Sequence, residues 1–194
     1  MKQAFILTLL VVGGLLLLPL GERLLKKKIS TNVYYTTWAS LYICSVLYFT
    51  LLCRSYRAVV HFRFIPFQTY KIALSCWLGI KSYSKAVCHS VLRSSRNIFE
   101  VTKNSPIEDN LLNITLFLPF GFLAGYLFKK TALWKILASA TALSTVIEII
   151  QAVFHLGSCS IDDVLNNTLG TLLGWLLYKT ERACFARFHL NDEK

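Results

Sequence analysis

Within STVIEIIQAVFH, residues 144–155, the polar side chains Ser144, Glu148, Gln151 and His155 recur at spacings of four, three and four. That rhythm puts all four on one stripe of a helix. The residues between them are apolar enough to cross a bilayer, where an ionised carboxylate costs roughly 2.5–3.5 kcal/mol on insertion scales. Glu148 must therefore take up a proton or be held in a wet cavity by donors such as Gln151. In the first case it could act as a general acid or base, and in the second it could hold a ligand. A second stripe, Asp163, Asn167, Gly170 and Gly174, repeats the spacing and runs from an acid and an amide into a GxxxG seam, GTLLG. A third polar group, Asn110 and Asn113, precedes Pro119 and Gly121, residues that loosen a helix.

Each of these residues also has a structural role open to it. Ser105-Pro-Ile-Glu108 and Ser160-Ile-Asp-Asp163 have the form of capping boxes, the first with proline at the first helical position, so Glu108, Asp162 and Asp163 would satisfy helix amides. Asn113, Gln151 and Asn167 would serve as interhelical hydrogen-bonding partners, Gly170 and Gly174 as packing, and His155 as a solvated boundary residue. If the helix against the glycine seam is the one that carries Glu148, Asp163 and Asn167 come opposite Gln151 and His155. The carboxylates and amides would then form one cluster near a membrane face, with Glu148 and Asp163 as its catalytic candidates.

The elements that must position this chemistry are read from long apolar runs. The chain is 55% hydrophobic and 16% charged, with charges gathered into short clusters, which is a membrane-protein profile. A span needs about 20 mostly apolar residues. Runs at 4–20, 33–53, 111–128, 131–154 and 161–178 predict an all-α membrane protein of about five transmembrane helices. Two N-terminal helices occupy 1–53, a long loop and three helices occupy 54–178, and 179–194 forms a basic tail. The first run lacks a small-residue cleavage site and reads as a retained helix rather than a signal peptide. Between the second and third runs, Lys81, Lys85 and His89 recur at four-residue spacing, which suits an interfacial or re-entrant segment within 60–92. Lys and Arg at 23–28, 129–135 and 179–194 predict a cytoplasmic C-terminus and an outward-facing loop at 155–160. The nine basic residues between Arg54 and Lys103 run against that scheme, although the rule weakens for loops this long.

The net charge of +11 is dispersed along membrane flanks, so anionic lipid is a sufficient partner and no nucleic-acid motif is present. The six cysteines lack metal-ligand spacing, no phosphate-binding loop occurs, and no cofactor is predicted. The expected partners are membrane lipids or lipid-linked wall precursors.

The block NLLNITLFLPFGFLAGYLF followed by STVIEIIQAVFHLGSCSIDDVLNNTLGTLLG resembles the VanZ family of small membrane proteins. The resemblance rests on Asn113, Phe117, Pro119, Gly121, Glu148, Gln151, Asp163, Asn167, Gly170 and Gly174, in order, and on the upstream Ile65-Pro66-Phe67. It covers about residues 54–178. Two positions depart from it: many family members have an arginine before the Asp where this chain reads GSCS, and an asparagine where this chain has Arg63. Arg63 is the substitute cation if a substrate anion must be gripped. The resemblance implies a role in lowering susceptibility to glycopeptide antibiotics, teicoplanin in particular. Three mechanisms stay open: binding or reorganising an envelope lipid or wall precursor, intramembrane catalysis on a lipid-linked substrate by Glu148 and Asp163, and proton-coupled transport through Glu148. A fold-back of RFIPFQTY over the polar cluster would complete a lipid-facing pocket.

Overall fold

A computed structural model describes residues 2–25, 28–52, 56, 62–63, 65–67, 70–71, 74–75, 78, 106–156 and 159–191. They form helices α1 (Lys2–Leu25), α2 (Thr31–Leu47, continued as a π-helical turn Tyr48–Leu52), α3 (Pro106–Leu127), α4 (Leu133–Val153) and α5 (Ile161–Asn191). Two short strands, β1 (Phe62–Arg63) and β2 (Cys159–Ser160), complete the set. The protein is all-α, as its apolar runs predict. Thr31–Leu52, Asp109–Leu127 and Leu133–Val153 are long and apolar enough to cross a membrane, which makes this a membrane protein by length and composition. Helix α1 turns Ile6, Leu9, Leu10, Leu16, Leu17, Leu20 and Leu24 outward, an apolar surface that suits lipid. Helix α5 carries the polar stripe in its first turns and continues unbroken through the basic residues to Asn191. Most of the predicted interfacial segment, including Lys81, Lys85 and His89, lies outside the described residues, as do Cys53, Cys76 and Cys88.

The bundle is organised around α3 and α5, which share the most extensive helix–helix contact. They run parallel, since Gly170 meets Ile114, Gly174 meets Leu118, and Glu181 meets Tyr126 in ascending order along both chains. Two glycine pairs interleave along this seam. A Cβ built on Gly170 or Gly174 would overlap the carbonyl oxygens of Ile114 and Leu118, and one on Gly121 would overlap that of Thr171. The seam therefore faces α3 and not α4, because α5 has two contact faces and only its other face, with Asn167 and Thr168, reaches α4. Small residues let backbones approach closely where apolar side chains gain nothing over lipid.

Helix α3 remains helical through Pro119. Proline removes one helical amide and crowds the preceding turn, and there the Leu116 carbonyl accepts the Tyr42 hydroxyl of α2 at 2.8 Å. Phe117 and Phe122 fill the interior on either side of the proline, packed in two clusters with Val46, Ala140 and Ile147 of α2 and α4 and with Tyr35 and Leu15 of α2 and α1. These helices position two buried polar groups, one at each end of the bundle.

Candidate functional site

Glu148 lies on α4 and is only 5% exposed. Its Oε2 accepts the backbone N–H of Ser160 at 2.9 Å. Ser160 immediately precedes α5, and its amide is the donor that Asp163 would take in a self-contained capping box. The carboxylate that takes it comes from α4 instead. One turn away, Gln151 donates from Nε2 to the Thr50 carbonyl at 2.9 Å. Thr50 sits in the π-helical continuation of α2, so this bond ties α4 to that turn. Ser144 is fully buried and accepts from Asn167 Nδ2 at 2.7 Å, which joins α4 to α5. Three members of the predicted stripe thus bond three different elements.

Residues 62–63, 65–67 and 70, from the stretch between α2 and α3, lie over this end as a strap. Phe62 and Arg63 pair in parallel with Cys159 and Ser160, so Arg63 stands in register with the residue that Glu148 holds. The Ile65-Pro66-Phe67 turn follows, and the Phe67 N–H donates to Asp162 Oδ1 at 2.6 Å. Phe67 adopts a positive φ of 58°, a left-handed conformation that costs a bulky side chain of order 1–3 kcal/mol. Three residues on, the Tyr70 hydroxyl donates to Asn166 Oδ1 at 2.9 Å. Burial pushes the Tyr70 hydroxyl above its usual acidity range, assisted by the charges of Asp162 and Asp163. Cys159 is likewise pushed up, first by burial and then by Glu148 and Asp163, which places its thiol in the field of both carboxylates.

Two predicted placements are revised. His155 does not extend the helical stripe, because α4 ends at Val153 and His155 turns into the left-handed region at φ 57°. The His155 and Leu156 amides close back on the carbonyls of Ala152 and Gln151 at 3.2 and 2.8 Å, the Schellman arrangement that glycine usually ends. This turn stacks the imidazole on Tyr56 at 5.5 Å. Asp162, read as a cap, instead holds the strap. Asp163 and Asn113 are half-buried near the starts of α5 and α3, and Arg63 and Pro66 are exposed on the strap. The Glu108 side chain lies outside the described residues. Thr50, Tyr70 and Asn166 enter the cluster unannounced. Asn166 could have been found from its four-residue offset from Asp162, which puts both on one face of α5.

At the opposite end, Tyr35 of α2 stacks on Tyr126 of α3 with centroids 4.1 Å apart. The Tyr126 hydroxyl donates to buried Glu181 of α5. Nearby, Thr31 donates to Glu22 of α1 at 2.7 Å. This second polar group fastens four helices together.

The chain can be set beside known proteins on this geometry. A family model described as VanZ/LLP1 matches residues 39–185. Protein VanZ of Enterococcus faecium is 33% identical over 100 residues, which cover 52% of this chain and 59% of that protein. The chain thus aligns with about three-fifths of that relative's length. No solved structure matches it.

Proposed function

Because the chain belongs to the VanZ/LLP1 family, we propose that it is a multi-pass protein of the cell membrane that lowers susceptibility to glycopeptide antibiotics, teicoplanin among them. It does so by binding a membrane lipid or a lipid-linked wall precursor at the Glu148 end of the bundle. The observation that carries this reading is the strap laid over a buried polar cluster by the β1–β2 pairing and the Phe67–Asp162 bond. Such a covered cluster of carboxylates and amides at the end of a lipid-facing bundle suits a polar headgroup whose tails stay in the bilayer. Basic flanks at 129–135 and 179–194 support an inward C-terminus, and in that orientation the strap would face outward, where lipid-linked precursors meet the antibiotic. Binding is favoured over chemistry, because Glu148, one of the two catalytic candidates, is engaged by the Ser160 backbone N–H.

The test is Glu148→Gln, which keeps the side chain's shape and an acceptor for Ser160. Membrane abundance should stay normal while teicoplanin susceptibility returns to that of cells lacking the protein. Retained resistance at normal abundance would remove the carboxylate from the function. A lipid extract that contains a covalently altered species only when the protein is present would replace binding by catalysis.

A further inference from the structure

Helices α4 and α5 lie antiparallel, and three bonds fix their relative levels: the Ser160 N–H meets Glu148, the Asn167 amide meets Ser144, and the Thr168 hydroxyl meets that of Thr141. Helix α4 is the membrane-capable stretch Leu133–Val153, whose length of about 30 Å equals the thickness of the hydrocarbon layer. Glu148 and Ser144 therefore stand about 7 and about 13 Å inside its Val153 end. Val146, Ile149 and Val153 are each more than half exposed, so one face of α4 stays apolar through its last turns and suits lipid over that whole depth.

The strap is tied to the same levels. Phe62 and Arg63 pair with Cys159 and Ser160, beside Glu148. The Phe67 N–H reaches Asp162, and the Tyr70 hydroxyl reaches Asn166, one turn further along α5 and next to the Asn167 that meets Ser144. The described strap residues thus descend along α5, away from the end of the bundle and toward the middle of the span. Irregular backbone at such a depth is tolerated only where protein or enclosed water satisfies its polar groups. The β1–β2 pairing and the buried Asp162 carboxylate serve that purpose here.

The outward side chains of the strap are apolar. Phe62 is 60%, Ile65 59% and Phe67 50% exposed. Phe67 holds its ring half-exposed on a strained left-handed backbone, so interior packing accounts for only part of what the ring does. Arg63 and Lys71 are also exposed, and their long stems let the charges snorkel to water or to a headgroup phosphate.

We propose that the strap is a re-entrant element: residues 62–63, 65–67 and 70 lie within the bilayer leaflet at the Glu148 end, and Phe62, Ile65 and Phe67 touch the hydrocarbon chains of the surrounding lipid. This depth is independent of whether a headgroup binds at Glu148, so the two readings fail separately.

The full chain, with its cysteines replaced, is spin-labelled at Ile65→Cys in nanodiscs of phosphatidylcholine and phosphatidylglycerol, and collisions with oxygen and with a water-soluble nickel complex are compared. Ile149→Cys on the lipid-facing side of α4 and Lys130→Cys in the opposite loop serve as references. The oxygen-to-nickel ratio at 65 should match that at 149 and exceed that at 130 by about tenfold, because hydrocarbon admits oxygen and excludes the charged complex. A ratio at 65 like that at 130 overturns the proposal. The chain with its own cysteines provides the second arm, in the same nanodiscs with a phosphatidylcholine that carries a diazirine near the end of an acyl chain. Photolabel should appear on the peptide that holds Phe62, Ile65 and Phe67 as it does on the one that holds Val146 and Ile149. Label on the α4 peptide alone would mean that water or a second copy of the chain covers the strap, and it also overturns the proposal.

Discussion

The Ser160 backbone N–H donates to Glu148 across the α4–α5 loop at 2.9 Å, so one helix carries the carboxylate that fixes the start of the next. Cys159, one residue before that amide, reports on the arrangement. Burial and the charges of Glu148 and Asp163 hold its thiol above the usual range, so the reactive thiolate is scarce near neutral pH and grows as pH rises. In a variant with Cys159 as its sole cysteine, alkylation at pH 7.5 should be slower than for an exposed thiol. Glu148→Gln removes one of the opposing charges and should speed it, which stopped-flow maleimide labelling measures. An unchanged rate in that variant would contradict the shared field. A membrane-impermeant maleimide on intact cells reads the side of the membrane from the same residue.

Asp162 is the latch of the strap, since the Phe67 N–H has its carboxylate as acceptor at 2.6 Å. In Asp162→Ala, hydrogen exchange at the Phe67 amide and proteolysis between 62 and 70 should both rise by tenfold or more, as expected for loss of a charge-assisted bond of about 1.5–3 kcal/mol. Asp162→Asn keeps an acceptor oxygen and should lie between the two. Phe67→Gly tests the same turn from the other side, because glycine adopts the left-handed backbone without strain.

The glycine seam yields a paired expectation. Gly174→Ala drives a methyl into the Leu118 carbonyl, a backbone atom that cannot rotate away. It should lose at least about 1–3 kcal/mol in detergent unfolding. Gly13→Ala meets nothing within 4 Å and should be neutral or stabilising by up to about 1 kcal/mol, the helix-propensity difference. Equal effects from the two would mean that α3 and α5 are not in this contact.

At the opposite end, Tyr126→Phe removes the hydroxyl that Glu181 receives and strands a buried carboxylate. A loss of about 1–3 kcal/mol in thermal unfolding is expected. Tyr35→Phe removes a hydroxyl that makes no hydrogen bond to Glu181 and should cost less.

The helices were legible in the sequence because each apolar run must hide its backbone from lipid in the same way, so length and composition suffice. Glu148, Gln151, Ser144 and Asn167 were legible because polar side chains at helical spacing in apolar surroundings need partners. Their partners were not. The GTLLG spacing announces close approach but not which helix approaches, and α3 carries Gly121 and Gly125 in the same rhythm. His155 fits the stripe by number and leaves it by a backbone turn that no side chain announces. The strap was anticipated only as a fold-back, since its register is set by two-residue strands and by Asp162 and Asn166, whose types equally suit a helix cap.

The Phe67–Asp162 and Tyr70–Asn166 bonds join residues 95 and 96 positions apart. A ribosome releases the chain from its N-terminus, so the strap is synthesised well before anything exists to hold it. It stays unlatched until the first turns of α5 have been made and inserted. The strap is therefore the last part of this end to be fastened, and quality control that senses an open strap would distinguish a finished protein from one whose final helix never entered the membrane.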